Sequence, residues 1–205
     1  MSDRYLDIAF TPSVRAAQDA NGSGDVYGRI LARSDGVAPD RIGPDEAAFI
    51  ADRDSFYMGS VSETGWPYVQ HRGGPRGFVK ILDDREIGIA DYRGNRQYVS
   101  LGNLARDDRV SLFFMDYGRR ARLKIFARAR AVTAEEAPDL LARLADPDYR
   151  ARIERGLVFT VEAFDWNCPQ HITERFTRSE IEAAVGVFRA RIAELEARLA
   201  ALETE

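Results

Sequence analysis

The segment "ARLKIFARARAV" (residues 121–132) alternates strictly between two kinds of side chain. Successive side chains of a β-strand point to opposite faces, so a period of two indicates a strand with one face on a core. The core face would carry Ala121, Leu123, Ile125, Ala127, Ala129 and Ala131. The other face would carry Arg122, Lys124, Phe126, Arg128 and Arg130. The segment therefore predicts a long strand with one basic side.

Further β-prone segments lie on both sides of this strand, separated by turn sequences such as "ETGWP". Strands are predicted at 55–62, 68–72, 78–82, 86–92, 109–117 and 157–166, and helices at 14–20, 26–32, 43–54, after Gly94 and at 133–156. Short connections with few crossover helices favour a mainly β fold, an antiparallel barrel with peripheral helices. We divide the chain into an N-terminal arm (1–43), a barrel domain (44–177) and a C-terminal helix (178–205).

The C-terminal segment carries apolar residues spaced alternately four and three apart: Ile181, Val185, Phe188, Ile192, Leu195, Leu199 and Leu202. This spacing is that of the a and d positions of a heptad repeat. It predicts a long amphipathic helix. Two interpretations remain open: the helix packs on its own barrel, or it pairs with another copy of the chain.

Composition restricts the function classes. The chain has 205 residues, a formal net charge of −4 and one cysteine. The mild acidity argues against bulk attraction to nucleic acid or to an anionic membrane. A single cysteine cannot form an internal disulfide and fits a reducing cytosol. The N-terminal sequence has no continuous apolar segment typical of a signal peptide. We expect a soluble, cytoplasmic protein.

Common catalytic and metal motifs are missing from the sequence. Cys168 and His171 are three residues apart, but the chain has only two histidines and one cysteine, too few for a typical zinc site. It contains no G-x-S-x-G, no P-loop and no G-x-G-x-x-G between a strand and a helix. We therefore predict no metal site, and we find little support for hydrolase chemistry.

The segment "DYRGNRQYVSLGNL" (91–104) is the strongest candidate for a binding site. A helix beginning after Gly94 would offer free backbone N–H groups, with Asn95 as its cap and Arg96 and Gln97 as additional donors to an anion. An ordinary capped helix with a solvated arginine is the alternative. Arg72 and Lys80, from neighbouring predicted strands, favour the anion site and suit a phosphorylated aromatic cofactor.

Residues 67–114 resemble the pyridoxamine 5′-phosphate oxidase-like group of FMN-binding split barrels. The resemblance lies in the order of features: a strand ending in Arg, a strand carrying Lys, the turn "GNRQ", a helix with "SLGNL" and a strand with "VSLFF". It extends loosely to 55–170, and "FDWNCPQHITERFT" (164–177) is similar to bacterial flavin-nucleotide-binding proteins. It implies an antiparallel split-barrel homodimer with FMN at the subunit interface and a small-molecule substrate.

The resemblance also implies roles for individual residues. Arg72 and Lys80 would hold the cofactor, Asp91 and Tyr92 would lie beside the flavin ring, and Asn95, Arg96 and Gln97 would bind the phosphate. Arg122 would contact the flavin from the second subunit, and Trp166 would flank the ring.

The chain after Trp166 lacks the R-x-H segment with which pyridoxamine phosphate oxidases bind their substrate. We therefore expect an FMN-dependent oxidoreductase with another, unknown substrate, and the sequence identifies no general base. The alternative is a non-catalytic split-barrel protein that binds flavin or haem.

Overall fold

The computed structural model describes residues 2–32, 38–167 and 169–203. The chain forms two compact units. The larger comprises the residues up to 116 together with 121–169, and the smaller comprises 117–120 and the residues from 170 onward. Cys168 lies outside the described residues, so the predicted absence of a Cys168 metal site stays a prediction.

One antiparallel sheet of seven strands forms the larger unit: β1 (Ser55–Val61), β2 (Pro67–Gly73), β3 (Lys80–Ile81), β4 (Glu86–Tyr92), β5 (Arg109–Asp116), β6 (Ala121–Val132) and β7 (Ile153–Asn167). Their order in the sheet is β2-β1-β5-β6-β7-β4-β3. Within the described ranges no ladder pairs β2 with β3, so the sheet is not closed. The expected mainly β fold, an antiparallel split barrel with peripheral helices and a C-terminal helix, is confirmed.

Seven helices occur in the described part of the chain: α1 (Asp3–Ala9), α2 (Pro12–Ala20), α3 (Gly24–Leu31), α4 (Pro44–Ala51), α5 (Val99–Leu104), α6 (Pro138–Leu144) and α7 (Arg178–Glu203). α1 was not predicted from the sequence. Its N-cap Ser2 accepts a hydrogen bond from the Tyr5 backbone N–H, and the Tyr5 ring stacks on Phe126 at 4.8 Å. Tertiary packing on β6 therefore holds a helix too short to be seen as a pattern. None of the helices described is both long and apolar enough to cross a membrane.

The alternation along β6 is present in the structure. Its inward side chains from Leu123 to Ala129 are buried, although at the end of the strand Val132 is buried in place of Ala131. The core formed by this face is aromatic at its centre, where Phe56 stacks on Phe114 at 4.8 Å.

The opposite, basic face of β6 is largely neutralised by acidic partners. Lys124 Nζ lies 2.9 Å from Asp165 Oδ2, and Arg130 Nη2 lies 3.2 Å from Glu86 Oε2. Arg128 pairs in the same way with two carboxylates. The face is therefore no free surface for a polyanion such as nucleic acid.

The helix predicted at 133–156 is wrong in extent. The Thr133 and Glu136 side chains do exchange hydrogen bonds with each other's backbone N–H, but around a turn. The only helix there is α6, and β7 already begins at Ile153. Pro147 explains the break, because the residue before a proline avoids helical conformation. Asp146 also accepts a hydrogen bond from the Asp148 N–H, closing a local turn.

α6 is fixed to the sheet through Leu144, which is fully buried. Glycines of two paired strands make room for it: a Cβ on Gly88 would lie 2.7 Å from Leu144 Cδ2, and a Cβ on Gly156 would lie 2.8 Å from Leu144 Cδ1. The Leu144 side chain thus fills a depression in the sheet that exists only because Gly88 and Gly156 have no side chains.

We predict that Leu144→Ala lowers the free energy of unfolding by about 2–5 kcal/mol, the usual cost of emptying such a buried site. Leu140→Ala on the same helix is the control and should cost clearly less, because Leu140 is only half-buried. Urea denaturation measures both. Equal losses for the two variants would contradict this account of how α6 is held.

Candidate anion-binding site

A charged hydrogen bond joins two strands that are not neighbours in the sheet. Arg72, on the edge strand β2, donates from Nη1 to Asp91 Oδ1 on β4 at 2.7 Å. Both side chains are largely buried. Because four strands separate β2 from β4 in the sheet order, the sheet must curl until β2 meets β4 at this pair. We call this meeting of β2 and β4 the seam.

A polar pocket opens at the seam. Its walls come from β2, the end of β4, the following loop, α5 and the start of β7. The lining residues are Tyr68, Gln70, Arg72, Asp91, Tyr92, Gly94, Asn95, Arg96, Gln97, Tyr98, Val99, Ser100, Leu101, Glu154 and Arg155.

The loop from Gly94 to Tyr98 differs from the prediction. α5 begins only at Val99, so Asn95 is not its cap. Instead the Asn95 side chain accepts a hydrogen bond from the Gln97 N–H at 3.1 Å, which forms a turn. Arg96 and Tyr98 both have positive φ, 61° and 54°, an uncommon conformation for such residues. The segment is a tight, strained loop, and its candidate anion donors precede the helix.

α5 is anchored to the sheet by polar contacts. Its buried residues are Ser100 and Asn103. Ser100 Oγ donates to Gln70 Oε1 at 2.6 Å, and Asn103 Nδ2 donates to Ser60 Oγ at 3.0 Å. Both partners lie on the β1–β2 hairpin, so the helix holds one wall of the pocket in place.

Glu154 and Arg155 lie in "RIERG", whose sequence predicts the end of a helix rather than a strand, so neither was expected at the site. β7 begins at Ile153 and carries both residues to the pocket. Arg155 Nε lies 3.8 Å from Asp91 Oδ2, and its Nη2 donates to Glu154 Oε2 at 3.1 Å. The pairing of Asp91 with Arg155 in the β4–β7 ladder explains the contact. Only the register of the β4–β7 ladder shows that Glu154 and Arg155 lie beside Asp91.

A chain of hydrogen bonds connects the loop to β7. Arg96 Nε donates to the Tyr98 hydroxyl at 3.3 Å, and that hydroxyl donates to Glu154 Oε1 at 3.3 Å. The hydrogen bond from Arg96 and its attraction to Tyr98 raise the pKa of the guanidinium. Arg96 is exposed to solvent. It therefore stands at the pocket mouth as a positive charge open to a ligand.

Three lining residues have buried polar atoms without a hydrogen-bond partner: Arg72 Nε, Arg155 Nη1 and the Tyr92 hydroxyl. Buried polar groups normally have partners, so three orphaned donors around one pocket are what a polar ligand would satisfy. Burial, with a smaller contribution from Asp146, raises the pKa of Tyr92, which favours its protonated, hydrogen-donating form. The residues present fit a ligand rich in acceptor oxygens.

Six of the nine residues selected from the sequence line this pocket: Arg72, Asp91, Tyr92, Asn95, Arg96 and Gln97. Three lie elsewhere in the single chain. Lys80 Nζ donates to the Gly77 carbonyl at 2.8 Å. Trp166 Nε1 donates to Glu46 Oε1 at 2.7 Å, and its ring contacts Phe49 edge to face. Arg122 lies on β6 opposite Met115, with its Nε buried and unpartnered.

In the described part of the chain, no group of three or more histidine, cysteine, aspartate or glutamate side chains is placed to hold a metal ion. The two pocket carboxylates, Asp91 and Glu154, each face arginine instead. The pocket is therefore suited to an anion held by guanidinium groups.

Comparison with known protein families identifies the family of this chain. The sequence profile described as pyridoxamine 5′-phosphate oxidase matches residues 42–192, which include every strand and the whole pocket. The chain belongs to the pyridoxamine 5′-phosphate oxidase family. No curated protein sequence matches it.

Solved structures with a similar fold are distant in sequence. HupZ from Group A Streptococcus aligns with a TM-score of 0.50 at 12% identity over 66% of this chain and 100% of its own. An FMN-binding protein from Syntrophomonas wolfei aligns with a TM-score of 0.45 at 14% identity over 60% of this chain and 83% of its own. A protein from Clostridium acetobutylicum that is related to general stress protein 26 aligns with a TM-score of 0.42 at 16% identity, over 67% of this chain and 94% of its own. The similarity to HupZ supports the fold alone.

The pocket makes a testable prediction about protonation. Burial raises the pKa of the Asp91 carboxyl above its usual value, although the Arg72 and Arg155 guanidinium groups act in the opposite direction. Because the folded-state pKa exceeds the unfolded one, Asp91 contributes fully to stability below the unfolded pKa, and this contribution is lost as the pH rises through the folded pKa.

Carbon-13 NMR titration of the aspartate carboxyls measures this directly. Asp107 is an internal reference, because hydrogen bonds from Arg109 lower its pKa to about 2. We expect the pKa of Asp91 to be higher than that of an ordinary aspartate and much higher than that of Asp107. An Asp91 midpoint below that of an ordinary aspartate would show that the arginines dominate over burial.

Proposed function

We propose that the protein is an FMN-binding flavoprotein and an oxidoreductase that acts on a small molecule other than pyridoxamine phosphate. The observation that carries this proposal is the pocket at the seam, with three orphaned donors and an exposed arginine on a strained loop. Membership of the family supports the flavin. The bound flavin would supply the electron chemistry, and the protein would supply binding, orientation and charge.

In this proposal the loop residues Asn95, Arg96 and Gln97 bind the phosphate. Arg96 offers a guanidinium fork that suits phosphate oxygens, and its exposure leaves it available. The carboxylates Asp91 and Glu154 are each paired with an arginine, which offsets their repulsion of an anion. The loop therefore presents hydrogen-bond donors to an anion at the mouth of the pocket.

The remaining pocket residues would contact the flavin ring. Arg72 and Arg155 each have an unpartnered N–H that could donate to the acceptor atoms of the ring, although Asp91 and Glu154 balance their charge. Tyr92 lies beside them with its hydroxyl unpartnered. We assign no general base, because every ionisable group within reach of the pocket floor is already paired with an opposite charge or kept neutral.

We further propose that the protein works as a homodimer in the cytoplasm, with Lys80, Arg122 and Trp166 completing the cofactor site across the interface. The outer face of the β1–β2 hairpin supports an interface, because Tyr57, Val61 and Val69 are exposed there and Val69 is 66% exposed. Arg122 lies on the adjoining outer face with a buried, unpartnered Nε. A single cysteine in the chain fits a reducing compartment.

The central test compares FMN with riboflavin, which lacks the phosphate. We predict that Arg96→Ala weakens FMN binding by about 10- to 150-fold, the loss expected for a charge-assisted contact of about 1.5–3 kcal/mol. Riboflavin binding should change little. Quenching of flavin fluorescence measures both affinities.

Arg106→Ala is the matched control, because Arg106 pairs with Glu63 at 3.0 Å outside the pocket. It should leave both affinities unchanged. If Arg96→Ala left FMN binding intact, or reduced FMN and riboflavin binding equally, the loop would not be the phosphate site. If the wild-type protein bound no flavin, the proposal that it is a flavoprotein would be wrong.

A second prediction concerns the interface. Val69→Lys should weaken FMN binding at least tenfold, since a charge on the proposed interface separates the subunits that complete the site. Val69 points away from the pocket-lining side chains of β2, so the effect would not be direct. Val26→Lys on α3, also exposed, is the control and should have no effect. Unchanged FMN affinity in Val69→Lys would indicate a site complete within one chain.

A further inference from the structure

The helix α7 exposes a continuous apolar stripe on the smaller unit. Its side chains are 47–70% exposed at Ile181, Phe188, Ile192, Leu195, Leu199 and Leu202, and Val185 between them is half-buried. A stripe of this length on a monomer usually marks an interaction surface. A helix with its apolar face in water also lacks the packing that normally stabilises helices.

The residue types along the stripe select a partner geometry. The a positions are Val185, Ile192 and Leu199, of which the first two are β-branched. The d positions are Ile181, Phe188, Leu195 and Leu202, of which the last two are leucine. β-Branched residues at a with leucine at d favour a two-stranded parallel coiled coil. The stripe is therefore shaped to pair with a second copy of itself.

Charges flanking the stripe distinguish the two possible directions. In a parallel pair a g residue faces the e residue of the next heptad of the other helix. Arg191 at g would then face Glu196 at e, and by symmetry this attraction occurs twice. In an antiparallel pair with full overlap the g residues face each other, so Arg191 would face Arg198 with repulsion. The e residues also face each other, and the attraction between Arg189 and Glu196 would only offset that repulsion. The antiparallel pair therefore gains no net attraction, whereas the parallel pair does.

Arg191 and Glu196 are both exposed in the single chain and can therefore contact a second helix. Arg191 is about half-exposed and already binds Glu194 on its own helix through Nη1 at 2.5 Å. Five donors on the guanidinium allow it to bind a second carboxylate without losing the first. Glu196 is exposed, and as an e residue it lies on the opposite flank of the stripe, the flank that Arg191 of a parallel second helix would face.

From this arrangement we propose that α7 is a dimerisation helix that forms a parallel, in-register coiled coil with α7 of a second copy of this chain. The pair has a twofold axis along its length and therefore closes as a dimer. This inference does not depend on the flavin. It stands on the exposed stripe, the identities at a and d, and the sign of the flanking charges.

Disulfide trapping in the full-length chain tests both the pairing and its direction. In a Cys168→Ser background, Val185→Cys places one thiol at an a position with a small change of volume. In the parallel coil residue 185 of each copy lies against its counterpart. In the antiparallel arrangement residue 185 faces residue 202 and lies 17 residues from its counterpart, about 25 Å along the axis at 1.5 Å per residue.

Ala183→Cys, at the outward f position two residues away, is the matched control, and a mixture of Val185→Cys and Leu202→Cys chains reports antiparallel pairing. With a mild oxidant such as diamide, we expect Val185→Cys to form covalent dimers at least tenfold faster than Ala183→Cys. Cross-linking found mainly between 185 and 202 would overturn the parallel direction. Cross-linking of Val185→Cys no faster than the control would overturn the pairing altogether.

Discussion

The hydrogen bond between Arg72 and Asp91 is the contact on which the candidate site depends. It joins the edge strand β2 to β4, although the sheet order separates them. A charged pair with little solvent exposure is costly to break, since a single remaining charge would be left buried. The pair thereby fixes how far the sheet curls, and the curl decides that β2, the loop after β4 and the start of β7 meet around one pocket.

The pocket combines structural rigidity with unsatisfied polar groups. Its helix α5 is anchored by Ser100 and Asn103 to the β1–β2 hairpin, and its loop is held in an uncommon backbone conformation at Arg96 and Tyr98. The orphaned donors on Arg72, Arg155 and Tyr92 would be unfavourable in a purely structural cluster. Strain and unpaired donors commonly occur together at binding sites, where a ligand compensates for both.

Local periodicity was sufficient to predict most of the sheet and α7. The alternation of 121–132 fixed the inward face of β6 almost residue by residue, and the heptad spacing gave the length of α7. The turn sequence "GNRQ" led to the pocket, because its residues are adjacent in the chain and their chemistry is local.

Features that depend on register or on tertiary contact could not be predicted. Arg155 reaches Asp91 only because β7 starts at Ile153 and pairs with β4 in one register. α1 is held by the stacking of Tyr5 on Phe126, which no local pattern encodes. The predicted helix at 133–156 ended early because a proline and a local turn outweighed its helical pattern.

A crystal structure of the protein soaked or co-crystallised with FMN would show directly whether the pocket at the seam holds the cofactor. We expect the phosphorus atom beside the loop of residues 94–97, with Arg96 within hydrogen-bond distance of a phosphate oxygen and the ring over Arg72 and Arg155. FMN bound elsewhere on the protein, with the seam pocket empty, would contradict it.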